Sequence, residues 1–116
     1  MKIYFARPIN LYKTPQDQRD IETLEKLGFE VVNPDKETLS ERYKREGMSV
    51  FLQAVQDCNA LAFRATVNMG ITAGVFKEIE EAKQLGLPII ELPTIFSNRV
   101  LSVEDTRLYL ELTGQR

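Results

Sequence analysis

Four short apolar runs recur along this 116-residue chain with room for at least one helix between each, and no other feature constrains the fold more. They are Lys2–Ala6, Phe29–Val32, Ala60–Phe63 and Leu87–Leu92. Each is strand-length, and Pro8 with Asn10, Asn33-Pro34 and Pro93 interrupt the chain behind three of them. A strand apolar on both faces needs cover on both. Runs of this kind alternating with helices imply βαβ units, right-handed crossovers and an α/β fold around a mostly parallel sheet of four to five strands. The length suits one domain over residues 1–116.

The segments between carry helix signals. Thr14-Pro15 opens the first helix, with Thr14 as N-cap and Pro15 at the first helical position. Ile21, Leu24 and Leu27 mark its buried face, and Gly28 stops it. Asp35 to Arg45 is highly charged and predicts a short exposed helix, with Asp35-Lys-Glu and Leu39 as its signals and Gly47 as its break. Ser49 is placed to cap a further helix whose apolar face is Phe51, Leu52, Ala54, Val55 and Cys58, ended by Asp57-Cys-Asn59. Behind the last strand come a loop with Ser97, Asn98 and Arg99 and then a helix opened by Ser102-Val-Glu-Asp105 in the shape of a capping box. Its Val103, Leu108, Leu110 and Leu112 can dock on the chain's own sheet or on another subunit.

The stretch Thr66–Ala82 is the most informative. It joins the third apolar run through a glycine-containing loop to a helix that ends at Gly86. At ~100° per residue, Ile71, Val75, Ala82 and Leu85 share a stripe, and Glu78 falls inside it while Lys77, Glu80, Lys83 and Gln84 point elsewhere. A carboxylate there loses hydration, and proteins rarely bury a bare ion without a partner or a task. Two readings are open: Glu78 at the edge of the buried face with its head in water, or Glu78 as a working group beyond a strand's C-terminal end, where open α/β sheets bind ligands.

Composition excludes several classes. The chain has no histidine and one cysteine, Cys58, so an internal disulfide, a conventional zinc site and a Ser-His or Cys-His nucleophile all drop out. Cys58 itself fits a buried thiol. Any acid–base chemistry falls to carboxylates, tyrosines, lysines or the substrate. Fifteen basic and 17 acidic residues, spread along the chain, form no basic stripe, which argues against polymeric nucleic acid while leaving a single nucleotide open. No segment approaches a membrane span, and a strand-like run follows Met1 directly, so a cytoplasmic protein is expected.

The ordered pieces Ile3-Tyr-Phe-Ala6 with its following loop, Thr72-Ala-Gly-Val-Phe-Lys-Glu-Ile79 with Ala82, Leu87-Pro-Ile-Ile90 and Ser97-Asn-Arg-Val-Leu-Ser102 span nearly the whole chain. As a set they resemble the nucleoside 2-deoxyribosyltransferase-like family, and within it the 2′-deoxynucleoside 5′-phosphate N-hydrolases. The resemblance implies a Rossmann-like three-layer sandwich, no cofactor and no metal. It makes Glu78 the nucleophile at C1′ of a nucleoside or nucleotide, forming a glycosyl-enzyme ester that water or a second base resolves. Tyr4 matches an active-site tyrosine, although a packed strand residue would look the same.

Substrate contacts follow from the same resemblance: Arg7, Ile9 and Asn10 in the first loop, Thr72 and Gly74 at the nucleophile turn, and Ser102 offered to a neighbour's site in a homodimer. The transferases carry an aspartate at the position of Thr72 and the hydrolases a hydroxyl residue. Thr72, Ser102 and a bidentate Arg7 therefore favour a 5′-phosphate. Helix capping explains Thr72 and Ser102 equally well. Two departures stand out: the hydrolases' Gly-Ser-Ile-Arg-Gly-Gly-like loop reads Arg7-Pro-Ile-Asn-Leu-Tyr12 here, and Phe51 stands where the family has a sugar-orienting aspartate. The leading expectation is an N-glycosidase acting on a (deoxy)nucleoside monophosphate. Beside it stand a 2-deoxyribosyltransferase, a nucleotide-binding or sensing domain without turnover, and a relative acting on another N-glycoside.

Overall fold

All four apolar runs form strands. The computed structural model describes residues 1–35, 37–66, 68–93 and 100–115. Strands β1 (Lys2–Ala6), β2 (Glu30–Val32), β3 (Ala60–Phe63) and β4 (Ile89–Glu91) make one sheet in the order β2-β1-β3-β4, with every pairing parallel. Tyr4 lies in register with Val32 on one side and Leu61 on the other. The sheet is therefore an all-parallel, four-stranded α/β sheet.

Among the described residues five α-helices accompany it: α1 (Pro15–Lys26), α2 (Glu37–Glu46), α3 (Ser49–Gln56), α4 (Ala73–Gln84) and α5 (Val103–Leu112). Strand alternation decides which helix covers which face. Ile3, Phe5, Ala60 and Ala62 meet Leu24 of α1, while Tyr4, Ala6, Leu61 and Phe63 meet Val55 of α3 and Val75, Ile79 and Ala82 of α4. The result is a three-layer sandwich of Rossmann-like type. From β1 the chain moves outward to β2 and then returns across β1 to β3, so the connection direction reverses between β1 and β3. A crevice opens at the C-terminal ends of strands at such a reversal, and ligands bind in it.

Capping at α1 follows expectation: Thr14 Oγ1 accepts the Asp17 N–H at 3.2 Å with Pro15 in the first turn. Gly28, Gly47 and Gly86 stop α1, α2 and α4 at φ values of 95°, 77° and 71°, where a Cβ would be strained. Other expectations need correction. Leu27 is 66% exposed because α1 ends one residue before it, and Ile71 and Leu85, just outside α4, are about half exposed. Ile79 takes their place on the buried stripe. Ser49 is the first residue of α3 and donates its hydroxyl to the Glu46 carbonyl at 3.1 Å, leaving Met48 at the N-cap position without a side-chain cap. The loop after β1 holds one turn of 3-10 helix at Ile9–Leu11. Lys36 and Ser97, Asn98 and Arg99 lie outside the described residues, as does the side chain of Leu39. Cys58 is buried, and burial pushes its thiol up to about 11.

Candidate active site

A cleft of about 770 Å³ opens on the α3–α4 side of the sheet, beyond the ends of β1, β2 and β3. Six segments line it. Strand β1 supplies Tyr4, and the loop behind it Arg7, Ile9, Asn10 and Tyr12. The turn after β2 supplies Asp35, α2 and α3 supply Tyr43, Lys44 and Phe51, and the start of α4 supplies Thr72, Gly74 and Glu78. Of the residues singled out from sequence, Tyr4, Arg7, Ile9, Asn10, Thr72, Gly74 and Glu78 converge on this one space. Ser102 does not: it is exposed at the start of α5, and its hydroxyl accepts the Asp105 N–H at 3.0 Å. In its own chain it is a helix cap.

Glu78 stands one turn into α4 and is 7% exposed. Its Oε2 and the Tyr4 hydroxyl, both buried, find no hydrogen-bond partner among the described residues. They are nonetheless close enough to act on each other. Burial raises the Glu78 carboxyl to about 7, against the pull of the Tyr4 hydroxyl and the Arg7 charge, which favour the carboxylate. Burial first, and then the Glu78 charge, push the Tyr4 hydroxyl far above its ordinary range, so Tyr4 remains a proton donor throughout the physiological range. An uncompensated buried carboxylate oxygen is costly, and such sites concentrate where chemistry occurs.

Arg7 behaves differently from its sequence expectation. Its fork is closed on Asp17 of α1, with Nε to Oδ1 at 2.7 Å and Nη2 to Oδ2 at 2.9 Å. Nη1 donates to Asn33 Oδ1 at 2.7 Å and to the Phe5 carbonyl at 3.3 Å. The guanidinium lies between the rings of Phe5 and Tyr12, 4.6 and 4.3 Å from their centroids. The bidentate grip expected for a phosphate is thus taken by Asp17. What remains to Arg7 is a fixed positive charge under the cleft and a platform for Tyr12. Asp17 also accepts the Lys13 N–H at 3.1 Å, which helps hold Lys13 at a φ of 60°. A second pair repeats the device: Arg64, directly behind β3, donates to both oxygens of Asp20, three residues along α1.

The start of α4 is the next polar part of the cleft. Thr72 occupies the N-cap position of α4, yet its side chain makes no capping hydrogen bond, and no acidic residue stands in the first turn. The hydroxyl and the helix end are free to meet a ligand. Gly74 follows in the same turn, and among the described residues a Cβ there would meet only Met48 Cε at 4.0 Å, so no described neighbour demands glycine.

No family model matches the chain, and no curated protein matches it. The site's geometry therefore carries the functional reading.

Two cleft residues, Asp35 and Tyr43, escaped the sequence reading. Asp35 follows the end of β2 as Glu78 follows β3, and that position was its available signal. Tyr43 is the other: it stacks on Phe51, the residue the resemblance places at the sugar, with centroids 5.0 Å apart and planes at 24°. Their pairing across α2 and α3 has no local sequence signature. Among the described residues, no helix is long and apolar enough to cross a membrane.

Proposed function

We propose that the chain is an N-glycosidase that hydrolyses the base–sugar bond of a (deoxy)nucleoside 5′-monophosphate. The observation that carries the reading is the buried, unpartnered Glu78 Oε2 beside the Tyr4 hydroxyl in a nucleotide-sized cleft. In the proposed reaction a Glu78 oxygen attacks C1′, the C1′–N bond breaks, and its electron pair leaves with the base, which takes up a proton. Water then attacks C1′ of the glycosyl ester, loses a proton to solvent, and frees the carboxylate. The transition state carries oxocarbenium character, which a carboxylate in a water-poor site stabilises. The Tyr4 hydroxyl and the fixed charge of Arg7 both favour the ionised form of Glu78.

A 5′-phosphate fits the uncapped start of α4, with Thr72 donating its hydroxyl and the first-turn N–H groups facing the anion. Ile9, exposed in the first loop, and Asn10 border the same space. Ser102 lies outside the cleft of its own chain, so its assignment to substrate requires a second copy. A cytoplasmic homodimer working without metal or cofactor belongs to the same proposal.

A second reading is favoured by Phe51. It fills the cleft wall where an aspartate would orient the sugar, and this suits a nucleotide-binding domain without turnover. Incubation with a panel of nucleoside and deoxynucleoside monophosphates, following free base by chromatography, separates the two. Base release that vanishes in Glu78→Ala and survives Lys77→Ala supports the glycosidase, the transferase variant showing itself by exchange with an added second base. Tight binding without release supports the sensor. Neither release nor binding removes both.

A further inference from the structure

Resting on the reading of Glu78 as the nucleophile, we propose that Asp17 is a positioning residue of the reaction: it competes with Glu78 for the Arg7 guanidinium and, by holding it, leaves the nucleophile unpaired. Arg7 and Glu78 line the same cleft and are both buried, yet among the described residues they form no ion pair with each other. The Arg7 charge nonetheless reaches Glu78 and favours its ionised form. A buried carboxylate with a buried cation in reach ordinarily closes on it, because neither is otherwise compensated. Here four of the five guanidinium N–H groups are already engaged: Nε and Nη2 by the two oxygens of Asp17, and Nη1 by Asn33 Oδ1 and the Phe5 carbonyl. The two rings fix the plane of the fork. Phe5 takes one face, and Tyr12, itself a cleft residue, takes the other.

Anchoring α1 to the sheet does not by itself account for Asp17. Asp20, on the same helix, takes both oxygens' worth of hydrogen bonds from Arg64 and does the same anchoring, but neither of those residues lines the cleft, and Arg64 is not among the groups that act on Glu78. The two pairs differ in what lies beside them. A released Arg7 would turn its fork to Glu78, and a carboxylate locked in a bidentate pair is aimed at the guanidinium instead of at C1′ and is the weaker nucleophile. A clamped Arg7 acts only through its field, which favours the carboxylate without occupying its oxygens. The titratable groups that line the cleft with Glu78 are Tyr4 of β1, Arg7 and Tyr12 of the loop behind it, Asp35 after β2, and Tyr43 and Lys44 of α2. Of the two cations, Arg7 is the one that acts on the Glu78 carboxyl.

Carbon-13 NMR titration of the Glu78 side-chain carboxyl, assigned by its absence from Glu78→Gln, tests this alongside the pH profile of base release from deoxynucleoside monophosphates. The native midpoint is expected at about 7. Asp17→Asn should lower it by about one unit or more as Arg7 turns to Glu78, and kcat at about pH 8 should fall by roughly tenfold or more. Asp20→Asn, which strands Arg64 in the same way, should move neither. Removing both charges, with Arg7→Gln and Asp17→Asn together, should raise the midpoint above the native one, because the cation that favours the carboxylate is gone. That is opposite in sign to the single variant, and a general loss of packing cannot produce both. All variants are titrated in concentrated sucrose, which favours the compact state, so that lost stability does not remove the readout. A Glu78 midpoint that stays in place or rises in Asp17→Asn, or that Asp20→Asn lowers equally, overturns the proposal. Normal base release by the native chain in that case leaves the glycosidase reading standing without it. A midpoint that falls as expected in a chain that releases no base shows the competition for Arg7 and removes the glycosidase reading instead.

Discussion

Glu78 costs the fold something that the cleft can use. Its carboxyl is raised from the ordinary 4.5 to about 7, so between those values the folded chain holds a proton that the unfolded chain has released. Stability therefore falls as pH rises from about 4.5 to about 7, and above 7 the ionised, buried Glu78 costs about 3 kcal/mol. Glu78→Gln should raise the Tm clearly at pH 8 and hardly at pH 5, in thermal melts followed by circular dichroism. Base release should show the opposite dependence, rising through about pH 7 as the nucleophile ionises and lost by roughly 10³-fold or more in the variant. Asp17 is the contrasting case. It neutralises Arg7, whose side chain is fully buried, and Asp17→Asn leaves that charge without its counter-ion. The loss should be about 3 kcal/mol in urea denaturation, with Tyr12 freed from its platform. Glu78 was legible in the sequence because a charge interrupts an apolar stripe. Asp17 and Asp20 were not, because Arg7 is 10 residues away and Arg64 is 44, and only the packed sheet brings each pair together.

At the scale of elements, the start of α4 is where local preference and cleft geometry diverge. Helices favour alanine over glycine, by up to about 1 kcal/mol in their interior and less in the first turn, and a Cβ on Gly74 would meet nothing closer than Met48 at 4.0 Å. Gly74→Ala should therefore leave stability equal or slightly higher while weakening nucleotide binding several-fold, because the methyl group enters the space that a ligand's phosphate or sugar would occupy. Stability measured by denaturation and affinity by calorimetry should move in opposite directions; equal affinity would show that the ligand does not approach this turn. Strands and helix stops were readable from apolar runs and glycines, since both are fixed by backbone preferences. Helix faces were less so. Ile71 and Leu85 match the stripe of α4 by angle but lie beyond its ends, where the neighbouring layer gives no cover, whereas Ile79, in mid-helix, is buried. The Tyr43–Phe51 stack and the placing of Asp35 in the cleft depend on how α2 and α3 fold back over the sheet edge, which no local pattern encodes.

At the scale of the molecule, α5 is a helix that buries none of its side chains among the described residues. None of its described residues is buried, and Val103, Leu108, Tyr109 and Leu112 are each more than half exposed, as are Val100 and Leu101 before it. The radius of gyration, 16.5 Å, exceeds the about 13 Å that scaling gives for a compact domain of this length, and the longest dimension of 52 Å is twice the shortest, 26 Å. Exposed apolar side chains at this density on one helix favour association. A homodimer in sedimentation velocity at micromolar concentration is the expected state, with Leu108→Glu and Leu112→Glu together giving a monomer whose far-ultraviolet circular dichroism is unchanged. The site adds a second readout. Ser102 caps α5 at the edge of this face and reaches no part of its own chain's cleft, so a contribution to substrate binding must come through the dimer. If Ser102→Ala weakens nucleotide binding in the dimer and has no effect in the Leu108/Leu112 monomer, Ser102 acts across the interface. If the native chain sediments as a monomer, or Ser102→Ala changes only the stability of α5, by about 1 kcal/mol, Ser102 is a helix cap and the cleft is complete within one chain.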